Sequence, residues 1–356
     1  MTTPNRRSFF AAGASAATVT LAAPQIARAQ ITRKWRCVTS WNKNLPGPGV
    51  SAERLARRIT EMSQGEITVE VFPAGAIVPA FGVLDAVASG AVEMGHTAAV
   101  FWAGKMPVAP LFSAVPFGMT PVQHVAWLQS GGHALWDELY ASRNVKPLLG
   151  GNTGPSASGW FKKAVNSLAD IKGLRIRATG LSGEVYAALG ATAVAIPPGD
   201  TYAALERGVI DAVEFLAPMN DLPLGLHKVA EHMLVPGFNK PNGASELLIR
   251  LDLWRALPLH LRAIVETASQ AEHDAGLADA ELQNGKALRE LVVLGAKLGT
   301  VPSDVLVAAR VAANATMTRI GSTDALAGRI VASYRETQVG LSGWTGIADV
   351  GRYIKG

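Results

Sequence analysis

Two charged side chains stand where apolar stretches of this chain end. Arg177 closes the run Leu174-Arg175-Ile176-Arg177, and Glu214 follows Ile210-Asp211-Ala212-Val213. A guanidinium is planar and can give two parallel N–H bonds to one carboxylate. Open α/β sheets place their ligand crevice beyond the strand ends, where Arg177 falls. Arg175 alternates with Arg177 and shares its face, so position along the strand singles out Arg177. On the residues alone the plainer readings stand beside this one: a surface strand arginine, and a solvated carboxylate at a strand end.

Other side chains could complete a pocket. Trp41, Phe101 and Phe215 can wall a mostly apolar cavity, or equally fill a core. Asn152 and Asn220 offer hydrogen bonds, and Asn220 also suits a helix cap. The seven histidines suggest surface or satisfied core positions. His227 and His232 are five apart, off the four-residue spacing of a helical zinc pair. The sequence has no Gly-x-Ser-x-Gly, no Gly-x-x-x-x-Gly-Lys, and no paired nucleophile and base. Gly180-Leu181-Ser182-Gly183 reads as a helix entrance, not a dinucleotide fingerprint. Cys37 is the sole cysteine, so an internal disulfide and a cysteine zinc site are excluded.

The elements that must position these residues begin after an address. Asn5-Arg6-Arg7-Ser8-Phe9-Phe10, an Ala-rich stretch, and Ala27-Arg28-Ala29 read as a twin-arginine signal peptide over residues 1–29, and predict export to the periplasm. No run is long and apolar enough to span a bilayer. The net charge of +5 includes Arg6, Arg7 and Arg28; without them 30 basic residues face 28 acidic ones. No basic stripe remains, so a nucleic-acid partner is excluded. With 356 residues, 49% hydrophobic, the chain has material for two lobes.

Strands are expected at Trp35–Ser40 and Ile67–Phe72, with a helix from Ser51 to Gln64 between them and a short helix over Leu84–Ala88. This alternation predicts an α/β lobe with a largely parallel sheet. Asn44 to Gly49 reads as loop. Ser89-Gly90-Ala91-Val92-Glu93-Met94 and Arg207-Gly208-Val209-Ile210-Asp211-Ala212 repeat one helix-to-strand turn, with Gly90 and Gly208 at helix C-caps. The repeat suggests two lobes on one plan. The second begins after Asn152-Thr153-Gly154, with strands near Trp160 and Arg177, a helix over Gly183–Leu189, and a strand over Ala193–Ile196. Residues 237–250 cross back to the first lobe. Pro258 opens a helix to about Leu291, long enough to span both lobes. The tail from Ser303 is helical.

These segments resemble the solute receptors of TRAP transporters. Glu66 to Gly75, Ser89 to His96, Ile171-Lys172-Gly173-Leu174-Arg175-Ile176-Arg177 and Arg207 to Glu214 carry the resemblance. Thr39-Ser40-Trp41, Lys43 to Gly49, Gly151 to Gly154 and Gly159-Trp160-Phe161 look typical of the branch binding 2-oxo acids or short hydroxy acids. The resemblance implies an α/β, two-lobed periplasmic-binding-protein fold with a hinge. It places lobe I at 30–154 and 245–290, lobe II at 155–244 and 291–330, and a helical tail at 331–356. It implies a small carboxylate ligand held by Arg177 and delivered to membrane permease subunits, with no catalysis. It further implies a sodium or calcium ion bound with the acid, Glu214 among its ligands, and a homodimer through a swapped C-terminal helix. The chain departs from that branch. Ser156 stands where a glutamine is expected, Phe215 replaces a tryptophan, Phe101 a tyrosine, and Lys240 stands where another ligand is expected. The loss of oxygen ligands suggests that Lys240, or water, offsets Glu214 in place of a metal. The alternative function is a periplasmic enzyme acting on a small carboxylic acid on the same scaffold.

Overall fold

The computed structural model describes residues 32–348, so the expected signal peptide lies outside the described residues. The chain runs β1 (Arg33–Thr39), α1 (Pro48–Met62), β2 (Ile67–Phe72), α2 (Val83–Ala88), β3 (Met94–Thr97), α3 (Pro121–Trp127), α4 (His133–Ala141) and β4 (Val145–Asn152). It continues through β5 (Gly159–Phe161), β6 (Arg175–Arg177), α5 (Gly180–Ala188), β7 (Thr192–Val194), α6 (Thr201–Glu206), β8 (Ala212–Val213), α7 (Pro218–Leu224) and β9 (His232–Val235). Last come β10 (Ala244–Arg250), α8 (Leu251–Ala256), α9 (Leu259–Val293), β11 (Lys297–Thr300), α10 (Ser303–Gly321) and α11 (Ala325–Ala348).

The strands form two sheets, ordered β2-β1-β3-β10-β4 and β11-β9-β5-β8-β6-β7. β1 shows why strand 33–39 forms: exposed Lys34 and Arg36 alternate with buried Trp35 and Cys37. Both sheets are mixed rather than largely parallel. β10 returns antiparallel between β3 and β4, and β5 lies antiparallel to both β8 and β9. The cause is the chain crossing between lobes: each crossing inserts a strand running the other way. Gly90 and Gly208 have φ of 78° and 72°, the left-handed geometry their turns require.

Helix α1 starts three residues earlier than its apolar pattern suggests. Gly47 turns at φ 75° and Pro48 occupies the first helical position, where no N–H bond is lost. Leu55 and Ile59 then face the core formed with Trp35 and Leu261. Arg54 ties α1 to α9 through a bidentate pair with buried Glu272, at 2.7 and 2.8 Å.

Helix α9 is 35 residues long. Its early residues Leu261, Val265 and Ala268 pack with Leu148 and Leu247 of the first sheet, whereas Leu291 packs with Trp160 and Met233 of the second. It passes the end of β4 so closely that a Cβ on Gly276 would lie 2.9 Å from the backbone nitrogen and oxygen of Asn152. α10 begins in the second lobe, with Val305 and Ala309 against Ile176 and Val185. Residues from Met317 on join the cluster of Phe112, Trp127 and Trp136 in the first lobe. Residues 291–330, expected in the second lobe, thus pack on both sides, and the change falls within one continuous helix.

Candidate functional site

Strands β6 and β8 lie parallel, with Arg177 opposite Val213 and the backbone N–H of Glu214 donating to the carbonyl of Arg177 at 2.8 Å. The two charged residues are therefore neighbours at the C-terminal ends of adjacent parallel strands, where such sheets form crevices. Arg175, on the same strand, is exposed and paired with Asp211 at 2.7 Å. Arg177 is only 2% exposed. Its Nε donates to the carbonyl of Ile196 (3.1 Å) and its Nη1 to that of Glu214 (2.7 Å), and its guanidinium carbon lies 5.2 Å from the centre of the Phe215 ring. These bonds use two of five N–H groups and fix the fork. Burial lowers the Arg177 pKa, while Glu214 and Asp221 oppose that shift.

A cavity opens beside this guanidinium. Its volume of about 40 Å³ admits a ligand of a few heavy atoms. The first lobe contributes Trp41, Val100 and Phe101; the second contributes Arg177, Thr179 and Phe215. Lys240, from the segment crossing between β9 and β10, completes the wall. Trp41 and Phe101 meet with ring centres 5.7 Å apart. Trp41 is held in place by its indole N–H donating to Nδ1 of buried His96 (2.8 Å), and His96 Nε2 pairs with the Gly150 carbonyl (2.6 Å).

Glu214 is fully buried behind this wall. Its Oε1 accepts from Asn239 Nδ2 (3.0 Å) and forms an ion pair with Lys240 Nζ; its Oε2 has no partner. Lys240 Nζ also donates to the carbonyl of Phe215 at 2.7 Å. Burial pulls the Lys240 pKa down, and Glu214 resists that pull. Asp221 accepts from Trp160 Nε1 at 2.8 Å, and burial pushes its carboxyl up to about 7. The ammonium thus sits on the carboxylate by direct contact.

The remaining expected residues are placed around the cavity rather than in it. Ser156 donates backbone N–H (3.0 Å) and hydroxyl (3.3 Å) to the Lys240 carbonyl, so it fixes the crossing segment. Gly237 permits this approach, since a Cβ there would fall 2.0 Å from the Ser156 carbonyl oxygen. Asn152 bonds Asn242 Oδ1 (2.7 Å) and the Gly154 N–H (2.8 Å). Asn220 accepts from the Ala217 N–H as a cap and donates to the Pro46 carbonyl at 2.6 Å.

Two contributors escaped the sequence reading. Thr179 lines the cavity with a buried hydroxyl that has no partner. Its signal was position, two residues past Arg177 and directly before α5. Asn239 carries Glu214, and only its place beside Lys240 hinted at it.

The sequence matches the family described as bacterial extracellular solute-binding protein, family 7, over residues 43–324. It is 40% identical over 278 residues to a monocarboxylate 2-oxoacid-binding periplasmic protein of Nostoc sp., covering 78% of this chain and 76% of that one. A TRAP transporter solute binding protein from Bordetella bronchiseptica superposes with a TM-score of 0.88 at 33% identity, over 90% of this chain and 96% of that chain. That structure is a mixed occupancy dimer with calcium and picolinate bound in one site. A TRAP periplasmic solute binding protein from Pseudoalteromonas atlantica, with bound sodium and pyruvate, gives 0.87 at 33% identity over 91% and 99%. Both share the two-lobed fold.

Proposed function

The chain belongs to bacterial extracellular solute-binding protein family 7, and from that membership we propose that its interlobe cavity captures a 2-oxo or hydroxy monocarboxylic acid through Arg177. It is a solute receptor of the TRAP class, which works with membrane permease components. The observation that carries the ligand reading is Arg177 itself: buried, held by two backbone carbonyls, and keeping N–H groups for an acid at a small aromatic-walled cavity. Trp41, Phe101 and Phe215 exclude water around the acid, and Ser156 and Asn152 hold the crossing segments that shape the wall. Residues 32–154 with 245–290 form one lobe and 155–244 with most of 291–330 the other, and they close on the ligand by hinge motion.

The chain acts as a receptor and not as an enzyme, a reading supported by its family and its relatives, which are solute-binding proteins. The twin-arginine route carries it to the periplasm. It dimerises through α11, whose far end exposes Val339 and Trp344, each 73% accessible; the dimeric Bordetella relative supports this reading. Light scattering on the wild type and a Trp344→Glu variant tests it: a wild-type monomer refutes it.

The main reading is tested by thermal shift with pyruvate and related acids. Wild type gains stability and returns the acid unchanged. Arg177→Ala loses the gain. Turnover of the acid favours an enzyme, and an undiminished shift in the variant removes Arg177 from recognition.

A further inference from the structure

We infer that the Lys240 ammonium replaces a metal ion in this receptor, donating to the 2-oxo or 2-hydroxy oxygen of the acid whose carboxylate Arg177 holds. The inference rests on the ligand class proposed above. Glu214 accepts from Arg177 through its backbone carbonyl, and its carboxylate and the Phe215 carbonyl are the oxygens that face Lys240. In this chain both are already engaged. Lys240 Nζ contacts Glu214 Oε1 and donates to the Phe215 carbonyl at 2.7 Å, and Asn239 also donates to Oε1. Among the described residues no three His, Cys, Asp or Glu side chains converge on a metal position. Calcium takes six to eight oxygens. The one carboxylate here is neutralised by an ammonium that would repel a second cation. The residues therefore do not fit a metal.

They do fit an acid. An ammonium carries three N–H donors, of which Glu214 and Phe215 take two. Lys240 lines the same cavity as Arg177, so the third donor is available beside the fork. Arg177 and Lys240 against Glu214 leave one surplus positive charge, which a monocarboxylate cancels. Burial raises the Asp221 carboxyl to about 7, which favours its neutral form beside these charges. A divalent metal added to the same dry site would leave two uncompensated charges, an expensive burial.

The experiment is isothermal titration of ligand-stripped full-length mature protein with pyruvate. It is done in chelated potassium buffer, then with calcium and with sodium added, alongside titration of each metal alone. Expected are one-site pyruvate binding with Kd unchanged within about twofold across the three buffers, and no heat or thermal shift from either metal. Lys240→Met should weaken pyruvate by at least ~20-fold, as loss of a charge-assisted bond with its buried partner left unpaired. Pyruvate binding that requires calcium or sodium, or stoichiometric metal uptake by the wild type, overturns the lysine's role and leaves the ligand reading intact. The metal titrations do not depend on the variant folding. Binding of no 2-oxo or hydroxy acid in any buffer overturns both readings.

Discussion

Trp41 and His96 are joined ring to ring: the indole N–H donates to Nδ1 at 2.8 Å, which fixes His96 as the neutral tautomer bearing its proton on Nε2. Burial holds the His96 pKa at about 4 instead of the ordinary 6.5. The folded state binds fewer protons than the unfolded chain between those values. The stability His96 contributes is present above about pH 6.5 and is lost as pH falls toward 4. Buried His124 and His273, lowered to about 3 and about 4, act with the same sign. Melting temperatures from pH 7.5 to 4.5 should fall, with a shallower slope in His96→Asn. Indole fluorescence should report release of Trp41 over the same range.

Glu246 behaves in the opposite sense. Its carboxyl accepts from Trp102 Nε1 and from the Tyr140 hydroxyl (2.8 Å) inside the first lobe, and burial raises it to about 7. Its protonated form is favoured on folding, so stability is full below about 4.5 and declines as pH rises through 7. Glu246→Gln can accept from Trp102 at its one oxygen and donate its N–H to the Tyr140 oxygen, without a charge. The variant should gain on the wild type by roughly 3 kcal/mol between pH 4.5 and 8 at most. Urea unfolding at both pH values measures it, and a constant difference contradicts the assignment.

Thr179→Val tests the unpartnered hydroxyl at the cavity. Removing one neutral hydrogen bond to a ligand should weaken affinity about 3- to 10-fold. An unchanged Kd would assign Thr179 to the wall alone. Stability should not fall, because the hydroxyl bonds nothing in the unliganded protein.

Arg54→Ala should cost about 2 kcal/mol in urea unfolding. It leaves buried Glu272 with only Arg58, at 3.2 Å. Arg54→Lys should recover only part, since an ammonium cannot reproduce the two parallel bonds.

Much of the candidate site was legible because its signals are local. Arg177 closes one short strand and Glu214 follows another, and their parallel register brings the two together. The Lys240 contact was suggested by the resemblance alone, through the loss of oxygen ligands around Glu214. The sequence could not show that Trp41 depends on His96, since 55 residues separate them and the bond depends on strand pairing. Nor could it separate Asn152 as a crossing residue from a pocket residue, because both roles demand the same buried amide. The antiparallel strands arise from where the chain changes lobe. That property belongs to the long-range path and leaves no mark on the two-residue period. The region from β3 to β4 gave no clear period because its apolar residues, Trp102, Phe112, Trp127 and Trp136 among them, surround a core on several sides.

Gly276 is the middle residue of α9, with 17 residues before it and 17 after. At 1.5 Å per residue each arm extends about 26 Å. The bare Cα rests against the backbone of Asn152, where the chain leaves one half of the molecule for the other. The rod is therefore supported at its midpoint like a balance beam. Its two arms are packed one in each half, so a change in the angle between the halves is felt along the whole rod. An event in a cavity of a few atoms is thereby carried to two remote places on the outer surface, where a membrane partner could sense both at once.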